Sequence, residues 1–358
     1  MRVMDLTRGG SEAEAEVELS VAVDFLISLL AHGSTESKGT FEVAPGFADD
    51  VSRASAQLLA ALERFGRSGG PLWGNLVGLA QRDPAAVDVP ALIRRVGETE
   101  ARELWLTLAG EHVPPIASAL GRDVLGDAAD GDAEAARSIA ESDLFIDPEE
   151  RQALALLALS PDEAKAAVLE VFDRWHKEVY AKREAATRGV LTRDARAKRG
   201  RASTCTVEQL VEAATNGLEL KTEPWVRRVV LVPHVSMRPW NVMCGYDDTF
   251  FICYPAADES FDADASAPPP RLVRLHRALG DEKRLRMLKR LAGGSAGLQE
   301  LADAAGLAKS SAHHHLVILR GAGLVKVTTE EQGRYTLRRE TLPEASEWLQ
   351  AFLAEEVP

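Results

Sequence analysis

The sequence predicts a mainly helical α+β protein. A helical N-terminal domain is closed by a small antiparallel β-meander, and a C-terminal unit of helices with a hairpin follows. Three observations predict this. Residues 1–200 carry apolar residues at helical spacing, residues 225–255 switch to β-branched and aromatic runs, and an acidic stretch ending in Pro268-Pro269-Pro270 breaks both patterns.

The bulk properties bound the answer. A chain of 358 residues has room for two or three domains, and 46% hydrophobic with 27% charged residues is a globular composition. There is no 18-residue apolar run, so no transmembrane helix is expected. The N-terminus, MRVMDLTRGGSEAEAEVELS, is polar and acidic and shows no signal-peptide core. Cys205, Cys244 and Cys253 form neither a CxxC nor a disulfide framework. These features read as a cytoplasmic protein with reduced thiols and no membrane partner.

Helical periodicity places elements at 47–65, 89–110, 134–142 and 161–198. The last is well signalled: Ser160 stands at the N-cap, Pro161 at the first helical position, and Asp162 and Glu163 in the first turn. Thr206 caps a further helix, 206–217. The segments 225–235, 238–246 and 249–255 then read as the strands of the meander. The first domain is thus 1–256, the linker 257–270 (ADESFDADASAPPP), and the second domain 271–358.

In the second domain, helices are expected at 271–280, 281–292, 298–305, 309–322 and 343–355. Gly306 sits where two helices need a left-handed residue to turn a tight corner. Residues 324–340 form two strands around Glu331-Gln332-Gly333.

Helix 309–322 holds His313, His314 and His315 in a row. Adjacent helical side chains point about 100° apart, so the three imidazoles cannot converge on one ion. The positions three and four residues away are apolar or Lys and Ser, which are poor ligands. No metal site is expected. Ala312, Leu316 and Leu319 make an apolar stripe, and the opposite face carries Lys309, Ser310, His313 and His314. A helix laid in a DNA groove would present such a face.

Charge agrees with a polyanionic partner. The chain carries −13, yet residues 271–339 hold 14 Lys and Arg against six acids, or +8.

With these residues in view, residues 278–340 resemble the winged helix-turn-helix of ArsR-type bacterial transcription regulators. Leu279-Gly280-Asp281, Arg284-Leu285-Arg286, Glu300-Leu301-Ala302, Gly306-Leu307, His315-Leu316, Leu319-Arg320 and Ala322-Gly323-Leu324-Val325 carry the resemblance. It implies double-stranded DNA as partner, a homodimer, repressor action, and helix 309–322 in the major groove. Lys309, Ser310, Ser311, His313 and His314 are then the base or phosphate contacts. Arg334, in the wing, would touch backbone or minor groove, and His315 would pack inward. Family members commonly place Ser where this chain has Ala308, so Ser310 is expected to cap a slightly shortened helix. Metal-sensing relatives carry Cys in the helix equivalent to 298–305, or Asp, His and Glu on the last helix. The first set is absent here and the last helix lacks His, so metal sensing is not implied.

The N-terminal domain holds no GxGxxG, P-loop, HExxH or GxSxG pattern, and neither a catalytic residue nor a cofactor is expected. The tryptophans Trp73, Trp105, Trp175, Trp225 and Trp240 could line an apolar pocket but suit a plain core better. His234 and Trp240, in the turn PHVSMRPW, are the candidate pair for a pocket holding an unknown small-molecule effector. The basic run Lys182 to Arg201 is expected to pair with this domain's own carboxylates rather than with phosphates. Two alternatives stand beside a regulator: a small-molecule-binding protein or enzyme governed by the winged helix, and a protein-interaction adaptor. Last-helix residues Leu342, Trp348, Leu349, Phe352 and Leu353 suit either packing on a twin helix or the domain's own core.

Overall fold

The computed structural model describes residues 14–33, 47–65, 70–81, 88–145, 150–202, 205–221, 223–261, 268–328 and 333–354. Most of them are helical, with short strands β1 (Glu14–Val17), β2 (Leu218–Glu219), β3 (Arg228–His234), β4 (Val242–Tyr246), β5 (Thr249–Pro255), β6 (Ala296–Gly297), β7 (Val325–Thr328) and β8 (Arg334–Leu337).

The N-terminal part has one large core. Phe25, Phe65, Trp73, Trp105, Phe172, Trp175 and Tyr180 are fully buried there. Trp73, Trp105 and Trp175 are therefore core residues and line no effector pocket. Buried indoles need an acceptor: Trp105 Nε1 donates to Leu159 O at 3.0 Å, and Trp175 Nε1 to Ser28 Oγ at 2.9 Å.

The expected helix 161–198 extends further as Pro161–Trp175, one π-turn at His176–Tyr180, and Ala181–Ala202. Ser160 opens it with a capping box closed by Glu163. Half of its basic run pairs with carboxylates inside the domain. Lys182 and Arg183 pair with Asp50, Arg188 with Glu184, and Lys198 with Asp194.

The antiparallel meander is a correction. β1, β3 and β5 run parallel in the order β1-β3-β5-β4, and only β4 and β5 are antiparallel. Short turns suggested simple alternation, but the chain crosses β5's position between β3 and β4, which leaves β4 at the edge. β1 comes from the acidic N-terminus, where Glu14 and Glu16 hide the strand signal; Glu16 pairs across the sheet with Arg228.

Two buried aspartates fix the loops beyond this sheet. Asp24 accepts from Tyr180 Oη (2.8 Å), Val235 N (2.7 Å), Ser236 N (3.1 Å) and Ser236 Oγ (3.0 Å). Asp194 accepts from Tyr254 Oη (2.7 Å), Ala257 N (2.8 Å) and Ser260 Oγ (3.2 Å). Asp24 thus anchors the start of loop 235–241, and Asp194 anchors the chain leaving β5.

The expected linker 257–270 begins with a short 3-10 turn, Asp258–Ser260; its residues 262–267 lie outside the described residues. The C-terminal helices are Pro270–Leu279, Glu282–Leu291, Leu298–Ala305, Lys309–Gly321 and Thr341–Ala354. They close a second core that includes Leu275, Met287, Leu301, Leu316 and Leu319. A second sheet, in the order β2-β7-β8-β6, crosses the two parts of the chain. β2 pairs in parallel with β7, Leu218 opposite Val327 and Glu219 opposite Thr328. The sequence gives no hint of this junction, because β2 has only two residues.

Candidate nucleic-acid interface

The helix Lys309–Gly321 is set by a short corner. Gly306 adopts φ 64°, in the left-handed region, and Leu307 N reaches back to Ala302 O at 2.9 Å. After three intervening residues the chain re-enters a helix at Lys309. Ala312, Leu316 and Leu319 are fully buried, so the apolar stripe faces the core as its spacing requires. The N-cap is Ala308, with no side-chain hydrogen bond. The capping role expected of Ser310 is not adopted, because Ser310 already lies within the first turn.

Lys309, Ser310 and Ser311 are exposed. Lys283 lies close by: its Nζ would stand 3.9 Å from a Cβ placed on Gly306. The corner therefore carries two ammonium groups beside three free helix N–H donors, a surface suited to phosphate. Lys283 was not singled out from the sequence, since only the corner's geometry brings it to Gly306.

His313 and His314 are half-buried, where the helical pattern places them on an open face. Trp240 of loop 235–241 covers them. Its ring centroid lies 5.3 Å from that of His313 and 6.1 Å from that of His314, both edge-on. Burial is the main cause that holds the His313 pKa below its ordinary value, with His314 and Arg320 adding to it. His315 turns the other way. Its Nδ1 is 3.7 Å from Asp281 and 3.5 Å from Arg284 Nη1, and burial lowers its pKa despite the carboxylate.

His234 and Trp240, the candidate effector pair, meet through the backbone: His234 Nε2 is 3.0 Å from Trp240 O. His234 is completely buried, which pushes its pKa down to about 3. Neither residue lines the cavity of about 840 Å³ that Arg238 and Pro239 border.

Arg334 is exposed, but its guanidinium folds back on the body of the domain. Nη2 donates to Ser295 O at 2.8 Å and Nε to Ser295 Oγ at 3.2 Å. The wing tip, residues 329–332, lies outside the described residues.

Much of the +8 block is engaged within the protein. Arg284 is buried and donates to Ala278 O (2.7 Å) and Arg277 O (2.8 Å), which caps the preceding helix. Arg286 pairs with Glu282, Arg290 with Glu300, Arg271 with Glu344 and Lys326 with Glu212. Lys289 and Lys309 are exposed with no ion pair among the described residues.

The far end of the helix is bound to the N-terminal part. Asn216 Nδ2 donates to Arg320 O and to Gly321 O, both at 3.1 Å. Arg320 in turn is buried and donates to Thr215 O (2.7 Å) and Pro239 O (3.0 Å). Gly321 permits this approach, because a Cβ there would stand 2.6 Å from Pro239. The helix therefore presents a free first turn and a clasped second half.

No helix among the described residues is long and apolar enough to cross a membrane. The family model of the bacterial regulatory proteins of the arsR family matches residues 281–327. The chain is 44% identical over 85 residues to the HTH-type transcriptional regulator CmtR of Mycobacterium bovis. The same match is found with CmtR of two strains of Mycobacterium tuberculosis. It spans 23% of this chain and 72% of the relative.

Proposed function

From this premise, that the chain belongs to the ArsR family through its C-terminal segment, we propose that it is a sequence-specific DNA-binding transcriptional regulator, a homodimeric repressor of the cytoplasm. The helix Lys309–Gly321 enters the major groove by its first turn. Lys309, Ser310 and Ser311 reach bases or phosphates there, and Lys283 holds the backbone beside them. His313 and His314 join the interface once Trp240 moves away. Arg334 serves the wing by reaching backbone or minor groove. Ligands of the family's metal sensors are not part of this reading.

One observation carries it: the exposed, lysine-bearing first turn that follows the left-handed Gly306 at the edge of the C-terminal core. The first residues of the second helix are those that meet base edges in helix-turn-helix proteins. A dimer would set two such turns about 34–36 Å apart, one DNA turn. The last helix supports that pairing with Leu342, Leu349 and Leu353, which are exposed. Trp348 is engaged within the chain, with Arg271 stacked 3.7 Å over its ring.

The test is fluorescence anisotropy of the full chain on labelled duplexes from the region upstream of its own gene, over a salt series. Competitor-resistant binding with a steep log–log salt dependence is expected. Binding no tighter than to random duplex would end the regulator reading and favour the enzyme or adaptor alternatives.

A further inference from the structure

A cavity of about 840 Å³ opens between the two parts of the chain. That volume is in the range of small-molecule sites. Helix Ala181–Ala202 contributes Arg193, Lys198 and Arg201 to one wall, and loop 235–241 adds Arg238. The C-terminal part contributes Arg271, Arg274 and Arg338 to the opposite wall. Seven cationic side chains and five carboxylates, those of Glu212, Asp258, Glu259, Glu340 and Glu344, line it in a chain whose net charge is −13; Lys198 is held besides by Asp194, and Arg193 by Ser260 O at 2.7 Å.

The carboxylates do not use all the donors. Asp258 bridges the two parts by holding both Arg238 and Arg274. Even so, the Nε atoms of Arg238 and Arg338 are buried with no hydrogen-bond partner. Arg338 Nε has only Glu340 at 3.6 Å, in ion-pair range and beyond a hydrogen bond. Cations gathered on a cleft of this size suit an anion that the protein does not itself supply.

We propose that this cleft binds a small, multiply charged anion bearing carboxylate or phosphate groups, and that it is the effector site of the molecule. The effector role rests on the regulator reading above; the anion site itself does not. The coupling follows from the lining. Asn216, Gly321 and Gly323 also border the cavity, and Asn216 and Gly321 form the clasp at the end of the groove helix. A ligand gripping both walls stabilises the clasped arrangement, in which Trp240 covers His313 and His314. By linkage it must then weaken DNA binding by the same factor by which DNA weakens the ligand.

The test uses the full chain, at fixed ionic strength, without DNA. Citrate and pyrophosphate are titrated separately by calorimetry, with chloride as the monovalent control, and each is followed by thermal unfolding. At least one should bind with one-to-one stoichiometry and raise the melting temperature; which one it is distinguishes a polycarboxylate from a phosphate ligand. Arg201→Gln should weaken it several-fold and Arg201→Gln with Arg271→Gln at least tenfold. Arg94→Gln, an exposed change outside the cleft, should leave it unchanged. The single variant keeps the test valid if the double variant fails to fold. No saturable binding of either anion, or equal binding by the cleft and control variants, overturns the site. In a final arm the anion that binds is added to the protein–duplex complex. Release of DNA is expected. Anion binding that leaves a specific complex untouched refutes the effector role, whereas the absence of any specific complex refutes the regulator reading and leaves the site standing.

Discussion

Asn216 and Arg320 each cap the helix of the other. The Asn216 amide donates to the last carbonyls of helix Lys309–Gly321, and the Arg320 guanidinium donates to Thr215 O at the end of helix Val207–Thr215. Two helix C-termini, each the negative end of a dipole, thus meet through two donors. The exchange also settles the backbone of Asn216, which sits at φ 56°, ψ 51°, a conformation that Asn tolerates and most residues do not.

Replacing Asn216 separates the two contributions. Asn216→Gly keeps the left-handed backbone and removes the amide, so Gly321 O loses this donor and Arg338 Nη1 its acceptor, while Arg320 O keeps Gly323 N at 2.8 Å. A loss of about 1–3 kcal/mol in unfolding free energy is expected. Asn216→Ala adds the cost of a Cβ in that conformation, about 1–2 kcal/mol more. Denaturant unfolding should rank wild type above Gly above Ala. Equal stability of Gly and Ala variants would show that backbone strain plays no part.

Gly321→Ala acts on the clasp from its other side. The new Cβ would lie 2.6 Å from Pro239, which cannot yield without moving the loop that carries Trp240. Within its own helix alanine is favoured over glycine by up to about 1 kcal/mol, so the groove helix itself should remain intact. The substitution is expected to uncover His313, whose pKa should rise toward the usual value because burial is the main cause of its depression. On the proposed function, DNA affinity should rise as well. Histidine NMR titration and anisotropy read the two effects; an unmoved His313 resonance would mean that Pro239 accommodates the methyl group.

The clasp also shows where the sequence stops being informative. Helix Leu298–Ala305, the corner at Gly306 and the stripe Ala312, Leu316, Leu319 follow from local pattern, because each depends on residues within two turns of one another. Gly321 reads locally as a helix terminator, but its lack of a side chain serves Pro239, far away in the chain. The half-burial of His313 and His314 is likewise invisible in their own helix, since Trp240 supplies it. The parallel order of β3 and β5 was missed for a related reason: strand runs and turns report lengths and leave neighbours undetermined. Pairing of Arg188 with Glu184 and of Lys198 with Asp194 was legible, because each acid stands one turn away on the same helix; Asp50, which holds Lys182 and Arg183, lies far away in the chain.

Lys309 and Lys283 should behave as phosphate contacts. Each lysine replaced by alanine is expected to lower DNA affinity on all duplexes alike and to reduce the slope of log K against log salt by about one. Ser311→Ala, a neutral change on the same exposed turn, should leave the slope unchanged. A Lys309→Ala protein with the wild-type slope would remove this turn from the interface.

Burial of His234 gives the fold an acid limb. Its Nε2 faces Trp240 O at 3.0 Å and so carries the proton as donor, while Nδ1 is buried with no partner. Protonation would place an unsatisfied charge in the core, and the pKa falls from 6.5 to about 3. The unfolded chain, with an ordinary imidazole, binds the proton first. Stability from this group is therefore complete above about pH 6.5 and declines as pH falls toward 3, by up to about 1.4 kcal/mol per pH unit. Asp24 opposes this trend, since burial raises its pKa and the folded state holds its proton more tightly than the unfolded chain. The informative quantity is thus the difference between wild type and His234→Gln, whose amide can still donate to Trp240 O but does not titrate. Unfolding free energies measured at pH 7, 6 and 5 should diverge less with acid in the variant than in the wild type. Parallel curves would mean that His234 is not the group that sets the acid limb, because removing the only titratable atom pair at that position would then have changed nothing.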